Sequence, residues 1–324
     1  MPKAISIDKF GAPEVMLVRD APHSIPGQGE ARVTHRAVGL NYLDVIHRRG
    51  EYPLSLPTGL GVSGCGVIQE LGSLEPEFAV GDLVAYAGVP PGSYAEERSV
   101  PVDRLVRVPN DMDPVIVAAS LQQGITAAFL LLDVFEVARH HIVLIHAAAG
   151  GVGTIACQWA KMIGATVIGS VGSPAKIPHA LSHGCDYVIV AGEENIEARV
   201  KAITSGRGVD VVYDSIGAQT FMSSLKSLAF RGLCVSFGSA SGEPPPLDVG
   251  SLAQLGSLYL TRPRFVQYTR SRTDLTRYAD AFFDRIRMGL EIPISRTYSL
   301  IDIVAAHHDL EGRRTIGSSA IRFE

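Results

Sequence analysis

Residues 148–153 read AAGGVG and stand directly behind the apolar run Ile142–Ile145. Gly150 and Gly153 take the second and third places of a Gly-x-Gly-x-x-Gly fingerprint, with Ala148 at the first. That pattern carries chemistry only between a strand and a helix, and residues 154–163 have helical apolar spacing. Gly150 would let the backbone approach a pyrophosphate, and Gly153 would let the helix pack closely on its sheet. The first-turn N–H groups and the helix dipole would hold the anion, a task shared with Gly151 and Val152. A glycine-rich turn without a ligand is the plainer reading. The series of strand–helix units around the loop favours a nucleotide.

The end of the second strand selects between NAD and NADP. About 20 residues after the loop, an acidic side chain would bond the ribose 2′-hydroxyl of NAD. This chain has Val171, Gly172 and Ser173 there, with Lys176 one turn later. No carboxylate repels a 2′-phosphate, Ser173 can donate to it, and Lys176 can neutralise it, so NADPH is the expected cofactor.

Metal chemistry has little to build on. Cys65, Cys157, Cys185 and Cys234 are scattered, with no Cys-x-x-Cys pair, as expected of reduced thiols in an intracellular protein. A catalytic zinc needs three protein ligands. His23, His35 and His47 show no ligand spacing and are expected at the surface or in turns, and His307 and His308 are expected to pack or face solvent. No metal is expected.

The elements that must position these groups follow from the pattern. The first 120 or so residues are short strands broken by Gly and Pro, including ARVTHRAVGL, GVSGCGVIQELG and GDLVAYAG, which suggests a barrel-like β module. DPVIVAASLQQGITAAFLLLDVF opens on Asp113-Pro114 with helical spacing. HIVLIHA, ATVIGSV, DYVIV, VDVVYDSIG and GLCVSFGS then alternate with helical patterns near 154–163, 178–183, 196–203 and 220–228. Strands without polar alternation are buried on both faces, the mark of a parallel, doubly wound sheet. DLTRYADAFFDRIRMG and the closing 25 residues add two helices and a strand. With 324 residues, 46% hydrophobic and 19% charged, the chain can bury two cores. A net charge of −4 without charge runs offers no nucleic-acid footprint. The opening MPKAISIDKFGAPEV has no apolar core of signal-peptide length, and no stretch is expected to span a membrane. A soluble, cytoplasmic protein is expected.

Taken together, HAAAGGVGTIACQWAKMIGA, VVYDSIG, VSFGSASG, GSLYLTRP and GLNYLDVIHRRGEYP resemble the zinc-independent quinone oxidoreductases of the medium-chain dehydrogenase/reductase superfamily. The resemblance covers nearly the whole chain. It implies an α/β protein with a GroES-like β-barrel catalytic domain (1–121 and 263–324) and a Rossmann NADP-binding domain (122–262), with the cofactor in the cleft. It also implies homodimers or higher oligomers joined through Rossmann sheet edges, here CVSFG and GSLYLTR. Zinc-dependent relatives carry a Cys where this chain has Asn41, and Gly-His-Glu where it has GLGVSG.

The implied activity is metal-free hydride transfer from NADPH to a quinone, with the protein supplying alignment and oxyanion stabilisation. By family position Asn41 is the donor beside the nicotinamide, lined by Tyr42, Asp44 and Ile46. Tyr52 would donate a phenolic hydrogen bond to the acceptor, and Thr126 would touch the nicotinamide side. Ser215, Gly217, Phe237, Gly238 and Ser239 would hold the nicotinamide half. Leu260, Arg262 and Arg313 complete the implied cofactor contacts. Departures from the family pattern are Gln123 in place of Lys, Ala127 and Ala128 in place of aromatics, Val190-Ala191 in place of an Asn-Tyr pair, and Arg139-His140-His141 before the first Rossmann strand. The small residues are expected to enlarge the pocket.

Two alternatives stay open. One is an NADPH-dependent ene-reductase of enones, haloacrylates or acyl thioesters, for which the arginines of RPRF and RSRTDLTR offer a basic patch. The other is a non-catalytic NADPH-binding protein of the crystallin or RNA-binding kind.

Overall fold

The structure, a computed structural model, describes residues 1–73, 76–88, 90–312 and 314–323. In chain order it runs β1 (Lys3–Ile7), β2 (Leu17–Asp20), β3 (Glu30–Gly39), α1 (Tyr42–Arg49), β4 (Thr58–Gly59), β5 (Ser63–Leu71), β6 (Leu83–Ala87), β7 (Glu97–Pro101) and β8 (Val106–Arg107). Then follow α2 (Pro114–Phe129), β9 (Ile142–Ile145), α3 (Gly151–Ile163), β10 (Thr166–Val171), α4 (Ile177–Ser182), β11 (Tyr187–Val190), α5 (Ile196–Ile203) and β12 (Val209–Asp214). The chain closes with α6 (Phe221–Ser227), β13 (Leu228–Ser236), α7 (Val249–Gln254), β14 (Tyr259–Thr261), α8 (Phe265–Tyr268), α9 (Arg272–Arg287), β15 (Ile294–Tyr298), α10 (Ile303–Glu311) and β16 (Ser318–Arg322).

The chain divides into two compact units. One comprises 1–122, 271–283 and 292–324; the other comprises 123–270 and 284–291. The first holds a sheet ordered β15-β16-β3-β5-β6-β8, with β7 also on β3, and a small sheet β2-β1-β4. β3 alternates buried and partly exposed residues along most of its length, as a strand with one face on a core must.

The second unit is a six-stranded parallel sheet ordered β11-β10-β9-β12-β13-β14. Its central strands β9, β10 and β12 are mostly apolar and largely buried on both faces, which is why they read as near-continuous apolar runs, although β12 carries Asp210 and Asp214. The order reverses between β9 and β12. In such sheets ligands bind beyond the carboxyl ends of the strands at that switch point, and the AAGGVG and DSIG loops leave the sheet there.

One helical stretch, Pro114–Val134, is long and apolar enough to cross a membrane by length and composition alone, a test that buried core helices also pass. It is largely covered by protein: 72% of its most apolar window is buried. Ala127 and Ala128 lie fully buried within it, so their small size is absorbed by packing and opens no pocket wall.

Candidate active site

α3 begins at Gly151, three residues earlier than the apolar spacing predicts, because the fingerprint glycines form its first turn. Gly150 is its extended N-cap (φ −90°, ψ 176°) and brings no side-chain acceptor. The first-turn N–H groups therefore lack both intrahelical and capping partners, the local condition for anion binding. No acidic residue sits in that turn. A Cβ on Gly153 would lie 2.2 Å from the Ala147 carbonyl oxygen, so the helix approaches the loop as only glycine allows. Ala148 is tolerated at the first glycine position because the residue facing it is Gly169 of β10. A Cβ there would stand 2.8 Å from that of Ala148. Gln123 packs its Cγ 3.0 Å from where a Gly151 Cβ would be.

At the end of β10, Gly172 is exposed, and nothing lies within 4 Å of where its Cβ would be. Ser173 caps the short turn containing Lys176 with its backbone; its hydroxyl makes no capping bond. His179, one turn on, is held to about 4 by burial, aided by the charges of His183 and Lys176, so it is neutral.

The loops expected at the nicotinamide half are built on Asp214, the last residue of β12. Its buried carboxylate accepts the N–H groups of Ile216 (2.8 Å) and Gly217 (3.1 Å). The Thr220 hydroxyl lies 2.8 Å from both oxygens, and Ser224 donates at 2.7 Å. Its main-chain carbonyl takes Phe237 N–H at 2.8 Å and Gly238 N–H at 3.3 Å. Ser224 in turn meets His146 Nε2 (2.9 Å), whose Nδ1 meets Ser170 (2.6 Å). Burial holds His146 below its ordinary range, hence neutral. Because Ser224 gives its proton to Asp214, His146 must donate from Nε2 and accept at Nδ1 from Ser170. Gly217 (φ 87°) completes the turn; a Cβ there would lie 2.4 Å from the Gly242 oxygen. Ser215, Gly217, Phe237, Gly238 and Ser239 thus form one contiguous backbone surface beyond β12 and β13. Arg262 lies beside it, bonded to Ser236 Oγ at 3.1 Å and paired with Glu243. Leu260 is a half-exposed residue of the edge strand β14. Arg313 lies outside the described residues.

In the other unit, Asn41 is the buried N-cap of α1. Its N–H donates to Asp44 Oδ2 at 2.9 Å, and its Nδ2 to Ser63 Oγ at 3.0 Å. Asp44 is fully buried, whereas Tyr42 and Ile46 are partly exposed. Tyr52 is 41% exposed, its ring 6.2 Å from that of His47. Thr126, in the 123–270 unit, is buried in α2. The histidine expectations need correction. His23 is exposed and faces Glu97, but His35 and His47 are buried. His35 sits between the Ala95 carbonyl and the Tyr86 hydroxyl, bonds that repay its burial. His307 is buried and His308 exposed. Among the described residues no group of three or more His, Cys, Asp or Glu could hold a metal ion, and all four cysteines are free and buried.

Residues 27–110 match the alcohol dehydrogenase GroES-like domain and residues 151–281 the zinc-binding dehydrogenase family. A quinone oxidoreductase of Pseudomonas aeruginosa is 42% identical over 323 residues, 99% of each chain. The chain belongs to the quinone oxidoreductase family. The family lies within the medium-chain dehydrogenases/reductases, and the two units are accordingly GroES-like and Rossmann-type. The crystal structure of Escherichia coli quinone oxidoreductase complexed with NADPH superposes with a TM-score of 0.97 at 39% identity, covering 99% and 100% of the two chains. A 2-haloacrylate reductase of Burkholderia is 38% identical over 98% of each chain.

Within this family fold, α1 went unread in the sequence although its signals are local. Asn41 and Asp44 stand at N-cap and N3, and Gly50 (φ 79°) closes the helix. The roles of Asp214 and His146 were also missed. Their partners Ser170, Thr220 and Ser224 are scattered in sequence and converge only through the sheet order.

Proposed function

We propose that the protein is an NADPH-dependent quinone oxidoreductase working without a metal. The observation that carries this reading is the uncapped glycine turn of α3 at the switch point of the parallel sheet, in a chain 42% identical over its length to a quinone oxidoreductase. The site fits a dinucleotide. The pyrophosphate falls to the N–H groups of Gly151, Val152 and Gly153, the 2′-phosphate to Ser173 and Lys176, and the nicotinamide half to the surface supported by Asp214. Bound NADPH would supply the hydride, and the two-electron reduction of a quinone also takes up one proton. Asn41, standing where a zinc ligand Cys would be, and Tyr52, half-exposed, are the residues assigned to the acceptor side.

Domain limits of 1–121 and 263–324 for the catalytic part and 122–262 for the nucleotide part belong to the same reading. So does a cytoplasmic location, supported by four unpaired cysteines. A homodimer joined along β14 is supported by its exposed edge, where Tyr259 is 57% and Leu260 39% exposed, with Phe230 of β13 at 87%. A basic patch for an acyl thioester has weaker support: Arg262 pairs with Glu243, Arg272 with Glu77 and Arg277 with Asp274.

Initial rates of reduced-nicotinamide oxidation, with NADPH and NADH side by side and a chelator throughout, test the proposal. Benzoquinone, phenanthrenequinone and a simple enone serve as acceptors. Chelator-resistant quinone turnover with NADPH preferred is expected. Turnover of the enone alone would move the function to alkene reduction, the chemistry named for the Burkholderia relative. Lys176→Ala should raise the KM for NADPH about tenfold at low salt, less at high salt, and leave that for NADH unchanged. Equal effects on both cofactors would remove Lys176 from the 2′-phosphate.

A further inference from the structure

Behind Asn41 lies a buried line of donors that the proposed chemistry does not yet use. Arg48, fully buried on α1, can only donate. Its Nη1 lies 3.1 Å from His307 Nδ1, which must therefore accept. Burial, with the charge of Arg48, holds His307 down to about 3, so it is neutral and carries its proton on Nε2. That nitrogen is 3.2 Å from the Tyr94 oxygen, and the Tyr94 hydroxyl donates to Asp44 Oδ2 at 2.7 Å. The same Oδ2 takes the Asn41 N–H, while Asp44 Oδ1 is buried with no hydrogen-bond partner. Beyond Arg48 the line ends in the Gly11 carbonyl and the Glu311 carboxylate, which Arg49 also pairs. From Arg48 through His307 and Tyr94 each bond points its proton toward Asp44, while Arg48 also donates the other way, to Gly11 and Glu311.

We propose that Asp44 is a positioning residue of the hydride-transfer site: its ionised carboxylate, backed by the donor line Arg48–His307–Tyr94, fixes the Asn41 backbone and the start of α1, and protonation of Asp44 releases that hold. This rests on the reading of Asn41 as part of the acceptor site. A charge-assisted bond is about twice as strong as a neutral one, and an anion at N3 also complements the helix dipole. Protonation weakens both. The groups facing Asp44 are Tyr94 and Asn41 directly, and Arg48, His307 and Glu311 behind them. Burial pushes the Asp44 carboxyl up to about 7, against the hydrogen bonds of Tyr94 and Asn41 that pull it down, so the change falls within the working pH range.

Stability and activity then have opposite dependences. A carboxyl raised from 3.8 unfolded to about 7 folded contributes stability below the lower value, and that contribution is lost as pH rises through the upper one. Activity is present above about 7 and lost below it.

The test is kcat/KM for NADPH and the melting temperature, both from about pH 5.5 to about pH 8.5, for wild type, Asp44→Asn and Tyr94→Phe. Wild type should show an acid limb falling about tenfold per pH unit below its midpoint. Asp44→Asn should be flat and at least about tenfold below the wild-type plateau. Tyr94→Phe, which removes a donor to the charged form, should move the midpoint up by about one pH unit. The melting temperature of Asp44→Asn relative to wild type should rise with pH. An acid limb that persists in Asp44→Asn, or a melting difference that ignores pH, overturns the proposal. If Asp44→Asn does not fold, the Tyr94→Phe shift decides. Failure of every quinone to turn over would defeat the functional reading instead. Fluorescence titration with NADPH would then decide the proposal: pH-dependent affinity lost in Asp44→Asn upholds it, and pH-independent affinity overturns it.

Discussion

Replacing Asp214 by Ala should lower the free energy of unfolding by about 3–5 kcal/mol and weaken NADPH binding more than about tenfold. The side chain is fully buried and receives two backbone N–H groups and two hydroxyls. Each donor left without an acceptor costs about 1–3 kcal/mol, and partial relaxation of Thr220 and Ser224 keeps the total below the sum. The loss is also local to function. Ile216 and Gly217 hang on the carboxylate, and Phe237 and Gly238 on the carbonyl of the same residue. Removing the carboxylate frees the Ser215–Gly217 turn while the β13 side stays bonded, so the surface loses its internal register. Asp214→Asn should fall between, because one oxygen still accepts while the amide group confronts donors. Denaturant midpoints at constant slope, with NADPH titration of the folded variants, measure both effects. A destabilised variant that binds NADPH as wild type does would separate the turn from the cofactor.

The elements were readable in proportion to how apolar their buried faces are. β9, β10 and β12 are near-continuous apolar runs because both faces of their sheet are buried. α5 was legible to the residue, 196–203. α1 was not, because its buried face is Asp44, Val45, His47 and Arg48, and a hydrophobic period finds nothing in three polar residues out of four. Its cap residues carried the information instead. His35 was misplaced because histidine's burial depends on partners, and those of His35, the Tyr86 hydroxyl of β6 and the Ala95 carbonyl, lie far from it in sequence. The glycine loop was legible as a motif, but its two ends behave differently in ways only packing shows. Ala148 fits because Gly169 faces it, whereas Gly153 has no such latitude.

That difference sets the second large effect. Gly153→Ala should destabilise the protein by about 3 kcal/mol and weaken NADPH binding roughly 100-fold. The added Cβ would meet the Ala147 oxygen at 2.2 Å and the Ala148 Cα at 2.8 Å, both backbone atoms that no rotamer change can move. Relief requires the start of α3 to withdraw or the Ala147 peptide to turn. Ala147 already occupies the left-handed region (φ 52°), which leaves it little freedom. Withdrawal would carry the Gly151 and Val152 N–H groups with it, and a shift near 1 Å in such donors costs about two orders of magnitude. Gly172→Ala is the matched control: its Cβ would enter open space, so its stability should stay within about 0.5 kcal/mol of wild type. Calorimetric melting and NADPH titration of the pair separate close packing from glycine content. If Gly153→Ala melts early yet binds NADPH unchanged, the first turn of α3 does not hold the phosphates. If Gly153→Ala loses both while Gly172→Ala keeps its stability, the close approach of α3 to Ala147 is what forms the cradle.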